Sequence, residues 1–221
     1  MPRSRASVAV FTAAALWCLA PRAAAGQINL APTIGVYIPT AELVQAASGQ
    51  QYKQEIAITL GGRLGVALGQ RAGLEAPVAY APSNLKFSAT GSSSTTSANI
   101  LTGSGRVFVE LVPRSSPVGL HLNGGAGLVH RSGTAYQGDP KSTDWGGVVG
   151  ATVRVRLGQL LHLELHAEDF IYKAQYAPDP ITPGAFATVN KQLNDIHLGL
   201  GLGIPLLALG GGGGATERPR P

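Results

Sequence analysis

The stretch Ile56-Ala57-Ile58-Thr59-Leu60-Gly61-Gly62-Arg63-Leu64-Gly65-Val66-Ala67-Leu68 decides the fold. Its residues alternate. One phase holds Ile56, Ile58, Leu60, Leu64, Val66 and Leu68. The other holds Ala57, Thr59, Gly61, Arg63, Gly65 and Ala67. A strand sends successive side chains to opposite faces, so this is a strand with one greasy face and one small or polar face.

Seven further segments read the same way: Ile28–Ile38, Gly73–Tyr80, Asn99–Val112, Val118–His130, Trp145–Leu157, Leu161–Tyr172 and Asp195–Leu206. Gly73–Tyr80 fits least well, because Pro77 cannot donate a ladder hydrogen bond. Three connections are short: Gly69-Gln70-Arg71-Ala72, Pro113 to Pro117, and Gly158-Gln159-Leu160. The other four, Pro39–Glu55, Ala81–Ala98, Arg131–Asp144 and Lys173–Asn194, are long and polar. The run Ser92-Ser93-Ser94-Thr95-Thr96-Ser97 inside the second predicts a mobile loop. Long and short connections therefore alternate along an up-and-down meander.

Residue size decides which face points inward. The polar phase is rich in small residues, among them Gly61, Gly65, Gly125, Gly199, Gly201 and Gly203. The apolar phase is Leu, Ile and Val in nearly every strand, too bulky in total for the narrow interior of an eight-stranded barrel. Facing lipid suits it, and ring closure leaves no unpaired strand edge in hydrocarbon. The expected fold is all-β, an eight-stranded antiparallel up-and-down transmembrane β-barrel with its polar phase in the lumen. A soluble exported barrel or sandwich, with the phases reversed, is the alternative.

The N-terminus agrees. Arg3 and Arg5 precede the apolar run Val8–Ala20, and Ala23-Ala24-Ala25 offers the small residues a signal peptidase accepts. The expected organisation is a signal peptide at 1–25, a barrel domain at 26–207 and a Gly/Pro-rich periplasmic tail at 208–221. Charged residues are only 13% of the chain and hydrophobic ones 44%, which excludes a disordered chain. Loss of Arg3, Arg5 and Arg22 leaves fourteen basic against twelve acidic side chains, a net +2, so no basic patch points to nucleic acid. The single cysteine, Cys18, excludes a disulfide framework.

With eight dyad strands, alternating loop lengths and a glycine-rich closing strand, residues 27–206 resemble the small eight-stranded outer-membrane β-barrel proteins of the OmpA-transmembrane-domain and OmpX type. The resemblance implies a monomer in the outer membrane with both termini in the periplasm. It implies outer-membrane lipid as its surroundings and the barrel-assembly machinery as its partner during biogenesis. Tyr37, Tyr80, Trp145 and Tyr172 lie near strand ends beside long loops, where an aromatic girdle is expected.

Three motifs carry residue types with possible chemistry. His162-Leu163-Glu164-Leu165-His166 puts two imidazoles and a carboxylate on one strand face. Alternate residues stand about 6.5–7 Å apart, so zinc or copper would need ligands from other strands, and a hydrogen-bonded lumen lining is the simpler reading. No metal or cofactor is expected. His130-Arg131-Ser132 resembles the His-x-Ser pair of outer-membrane lipid A deacylases, also eight-stranded barrels, which add a later Glu. Here Glu164 and Glu168 fall on the inner phase and His130 on the outer, so no catalytic set is expected. Gly199-x-Gly201-x-Gly203 lacks the spacing of a nucleotide-binding loop; its glycines share the inner face, where another element can approach closely.

The inner phase also carries Arg63, Arg106, Arg154 and Arg156 against Glu75, Glu110, Glu164 and Glu168. Four of each sign are expected to pair across the bore and plug it, since lone charges there are costly. The expected role is structural or surface-interacting. A narrow passive conduit for small or hydrophobic solutes is the alternative, and a lipid A-modifying enzyme the third.

Overall fold

The computed structural model describes residues 26–45, 51–89, 92–113, 116–158, 161–179, 182 and 185–209. The expected signal segment 1–25 and the tail from residue 210 lie outside the described residues.

Eight strands close a barrel: β1 (Gly26–Pro39), β4 (Ala57–Leu68), β5 (Ala72–Ala81), β8 (Asn99–Glu110), β9 (Val118–Ser132), β10 (Thr143–Arg156), β11 (His162–Pro178) and β12 (Phe186–Leu209). Each pairs antiparallel with its neighbours, and β1 closes the ring against β12. In the β5–β8 ladder the paired residues pass from Glu75↔Arg106 to Val78↔Gly103. Pro77 falls in that gap: the register is the same on both sides, and the ladder is interrupted where proline has no N–H to donate. Pro205 sits beside a register shift opposite Ile28 and Asn29, the other place where a ladder tolerates proline.

The phases are those of a membrane barrel. Ile58, Leu60, Val149 and Leu165 are half or more exposed, whereas Arg63, Glu75, Arg106, Glu164 and Glu168 are buried. Outward apolar residues run from Ile56 to Leu68 along β4. That is about 40 Å of strand, which a tilt near 40° reduces to about 30 Å, enough for a hydrocarbon core.

The long connections depart from the reading as loops. Between β1 and β4 lie β2 (Val44–Gln45) and β3 (Gln51–Gln54); between β5 and β8 lie β6 (Asn84–Ala89) and β7 (Ser92–Ser97). These form a second sheet in the order β2-β3-β6-β7, standing on the long-loop end of the barrel. The Ser/Thr run expected to be a mobile loop is thus an edge strand paired with β6. The cause is a second, short alternation, Asn84-Leu85-Lys86-Phe87. It buries Leu85 beside Leu43, Ala98 and Tyr136, with Tyr52 packed on the same cluster. β11 and β12 likewise continue upward as a hairpin arm, pairing as far as Pro178↔Phe186.

The aromatic girdle is corrected in part. Tyr80 and Trp145 face outward, but Tyr37 and Tyr172 are buried inside the barrel. Both occupy the inner phase of their strands, and burial with a hydroxyl partner outweighs the interfacial preference of tyrosine.

Candidate functional site in the barrel lumen

Alternation carries one set of side chains from every strand into the bore. At mid-height Arg63 from β4, Glu75 from β5, Arg106 from β8 and Glu168 from β11 converge. Arg63 Nη2 lies 2.5 Å from Glu168 Oε1, and Arg63 Nη1 lies 3.4 Å from Glu75 Oε2. Arg106 Nη1 and Nη2 reach the two oxygens of Glu168 at 2.7 and 2.8 Å, a bidentate contact, and Nη1 stands 3.7 Å from Glu75. Arg63 also donates to Thr152 Oγ1 at 3.0 Å, and Arg106 Nε to Ser104 Oγ at 2.7 Å. Phe170 lies beneath the Arg106 guanidinium, 5.6 Å from its ring centre. Two arginines and two glutamates give this layer no net charge, the condition under which buried ions are tolerated.

A second layer lies toward the tight-turn end. Arg154 donates to Glu110 at 3.2 Å and pairs with Glu164 at 3.4 Å, and His162 Nε2 lies 3.0 Å from Glu164. Arg156 is exposed at the mouth below. A cavity of about 370 Å³ opens there, lined by Asn29, Arg63, Glu110, Arg154, His162 and Glu164 among others. His162 and His166 lie across from Gly203 and Gly199. A Cβ on either glycine would overlap the facing imidazole, so the inner-face glycines make room for histidines.

A third layer, toward the long loops, lies outside the lumen charge set read from sequence, which places Tyr37 and Tyr172 in a girdle instead. Tyr37 and Tyr172 both donate to Asp195 Oδ2, at 2.9 and 2.5 Å. Arg131 pairs with Asp144 at 2.5 Å, and its guanidinium stacks over Tyr172 and Tyr136 at 5.3 and 5.9 Å. Tyr136, in a one-turn 3-10 helix (Thr134–Tyr136) of the β9–β10 loop, donates to Gln54 Oε1 at 3.2 Å. Burial pushes its hydroxyl well above the usual tyrosine range, which keeps it a donor. Gln54 in turn donates to Ser83 and to the Ala98 carbonyl. The signal for this layer was the phase itself: Tyr37, Arg131, Tyr172 and Asp195 each extend the inner phase of a strand by one or two steps.

His130 points away from the lumen, and its Nδ1 lies 2.8 Å from Thr143 Oγ1. Glu164 and Glu168 are engaged inside the barrel, so the histidine, hydroxyl and carboxylate of a hydrolase are not brought together. Among the described residues no group of three or more His, Cys, Asp or Glu side chains is placed to hold a metal ion.

No protein-family model matches the chain, and no curated protein matches it in sequence. Solved structures do match in shape. The outer membrane protein OprG from Pseudomonas aeruginosa superposes with a TM-score of 0.58 at 13% identity, over 81% of this chain and 96% of that one. Neisserial surface protein A superposes with a TM-score of 0.51 at 10% identity, over 82% and 97%. With the closed eight-strand ring, the apolar outer wall and the charged bore, these likenesses give the chain the fold of the small eight-stranded outer-membrane β-barrel proteins.

Proposed function

We propose that the chain is an outer-membrane surface protein whose barrel is a closed anchor, with both termini periplasmic and the β2-β3-β6-β7 sheet held outside the cell. The observation that carries this is the mid-height layer. Arg63 and Glu168 come from strands on different sides of the ring and meet at hydrogen-bond distance, with Arg106 and Glu75 filling the space beside them. Such a layer leaves ions no continuous water path, and the tyrosine–aspartate layer above it adds a second obstruction. The barrel then serves to hold its folded loops at the surface, in contact with outer-membrane lipid around its wall. Purified, refolded protein in a planar bilayer is expected to show no steady conductance; a large, steady conductance overturns this reading.

The cavity at the tight-turn mouth favours a second reading, a narrow conduit for small solutes. It ends on Arg63 and Glu75, so conduction would require the charge layer to part. The same bilayer experiment separates the two, because a conduit opens intermittently under voltage and an anchor does not.

A further inference from the structure

All five lysines of the chain, Lys53, Lys86, Lys141, Lys173 and Lys191, stand at the long-loop end and are exposed. Two of them are direct cross-strand partners: Lys53 on β3 faces Lys86 on β6. Like charges directly opposite in an antiparallel pair destabilise it. Lysine is common on edge strands, where it blunts aggregation. β3 and β6 are the inner strands of this sheet, and Lys86 is paired on both sides, with Lys53 and with Thr95, so it is not an edge lysine. Among the described residues neither lysine makes an ion pair.

The surroundings of the pair suit an anion bearing hydroxyl groups. Register places Gln51, Ser88, Ser93 and Thr95 around the lysines on the same face. Among the described residues the carboxylate on this face is Glu55, which lies at the foot of the sheet beside Asn84, 3.4 Å from its Nδ2. The opposite face, with Tyr52, Leu85 and Phe87, turns to the core. The lysine face is continuous with the lipid-facing wall. Val78 and Tyr80 of β5 point outward, Ala81, Ser83 and Leu85 are buried, and Lys86 is exposed again in the outward phase. Lys86 therefore stands up to about 20 Å along the chain beyond Tyr80, above the lipid rather than above the pore.

We propose that the Lys53–Lys86 face binds the phosphorylated sugar headgroup of the glycolipid surrounding the barrel. This rests on the reading that the long-loop end lies outside the cell. Lysines over an anionic membrane surface each strengthen attachment severalfold, and the effect fades with salt.

The test titrates refolded full-length protein, in detergent micelles, with phosphorylated lipopolysaccharide and with the same glycolipid stripped of phosphate. The K53Q/K86Q variant is expected to bind the phosphorylated form about 30-fold more weakly at low salt. The gap should close at high salt and be absent with the stripped glycolipid. The K141Q variant, off this face, should bind as the wild type does. Equal binding by K53Q/K86Q and wild type overturns the proposal. So does an equal loss in K141Q, which would mean diffuse charge rather than a site. A soluble sulfated polysaccharide that binds as tightly as the glycolipid overturns the headgroup assignment. The micelle titration does not depend on orientation in the cell, which protease treatment of intact cells reads separately.

Discussion

Glu168 is the carboxylate on which the mid-height layer turns, and Glu168→Gln tests whether that layer holds the barrel together. It accepts Arg63 at 2.5 Å and Arg106 at 2.7 and 2.8 Å, and its side chain is 5% exposed. At an effective dielectric of about 20, each contact of this length is worth about 6 kcal/mol of gross attraction. Most of that is offset by the desolvation of the ions. What survives on breaking a buried pair is about 3–5 kcal/mol, chiefly the cost of leaving a partner charge uncompensated. In Glu168→Gln two arginines keep only Glu75, at 3.4 and 3.7 Å, and the layer goes from neutral to a charge of +1. The full cost of about 3–5 kcal/mol is therefore expected. Glu164→Gln should cost less, because Arg154 retains Glu110 and its own side chain is 26% exposed. The assay is equilibrium urea unfolding of barrels refolded in vesicles, followed by the mobility difference between folded and unfolded forms on gels. A loss below about 1 kcal/mol for Glu168→Gln would refute the reasoning, since it would mean that water reaches the layer and the bore is not dry.

Tyr172→Phe removes one of the two donors to Asp195 and should cost about 1–3 kcal/mol in the same assay, while leaving bilayer conductance at the wild-type baseline. Gly203→Ala drives a methyl group into the His162 imidazole and should destabilise by about 1–3 kcal/mol. His162→Ala in the same chain should recover most of the loss, and failure of that rescue would show that the glycine serves the backbone instead. Trypsin added to intact cells should cut at exposed Lys141 in the β9–β10 loop and spare Arg71 in the tight turn between β4 and β5. The reverse pattern would invert the barrel.

The strands were legible because lipid outside and charge inside impose opposite demands on neighbouring residues, and a period of two records that conflict directly. Arg63, Glu75, Arg106, Glu110, Arg154, Glu164 and Glu168 could be assigned to one face from parity alone. What parity cannot give is height and azimuth. It could not say that Arg63 would meet Glu168 rather than Glu110, because that depends on strand tilt and on the register of all the strands between them. Where residue type was set against phase, as with Tyr37 and Tyr172, phase was the better guide.

The long connections were the least legible part. The alternation in Asn84–Phe87 is too short to stand out from a polar loop, and Ser92–Ser97 carries no apolar residue at all. β7 exists because β6 offers it a backbone edge, and β6 exists because Leu85 finds Leu43, Ala98 and Tyr136 to pack against. The amino-acid sequence by itself determined the ring of strands and which side chains turn inward, since that information is local and repeats every second residue. Only the tertiary structure decided which inward charges pair, that two tyrosines meet an aspartate in the upper bore, and that two lysines stand side by side on the second sheet. Each of those facts joins residues far apart in the chain, and closure of the ring is what brings them within reach.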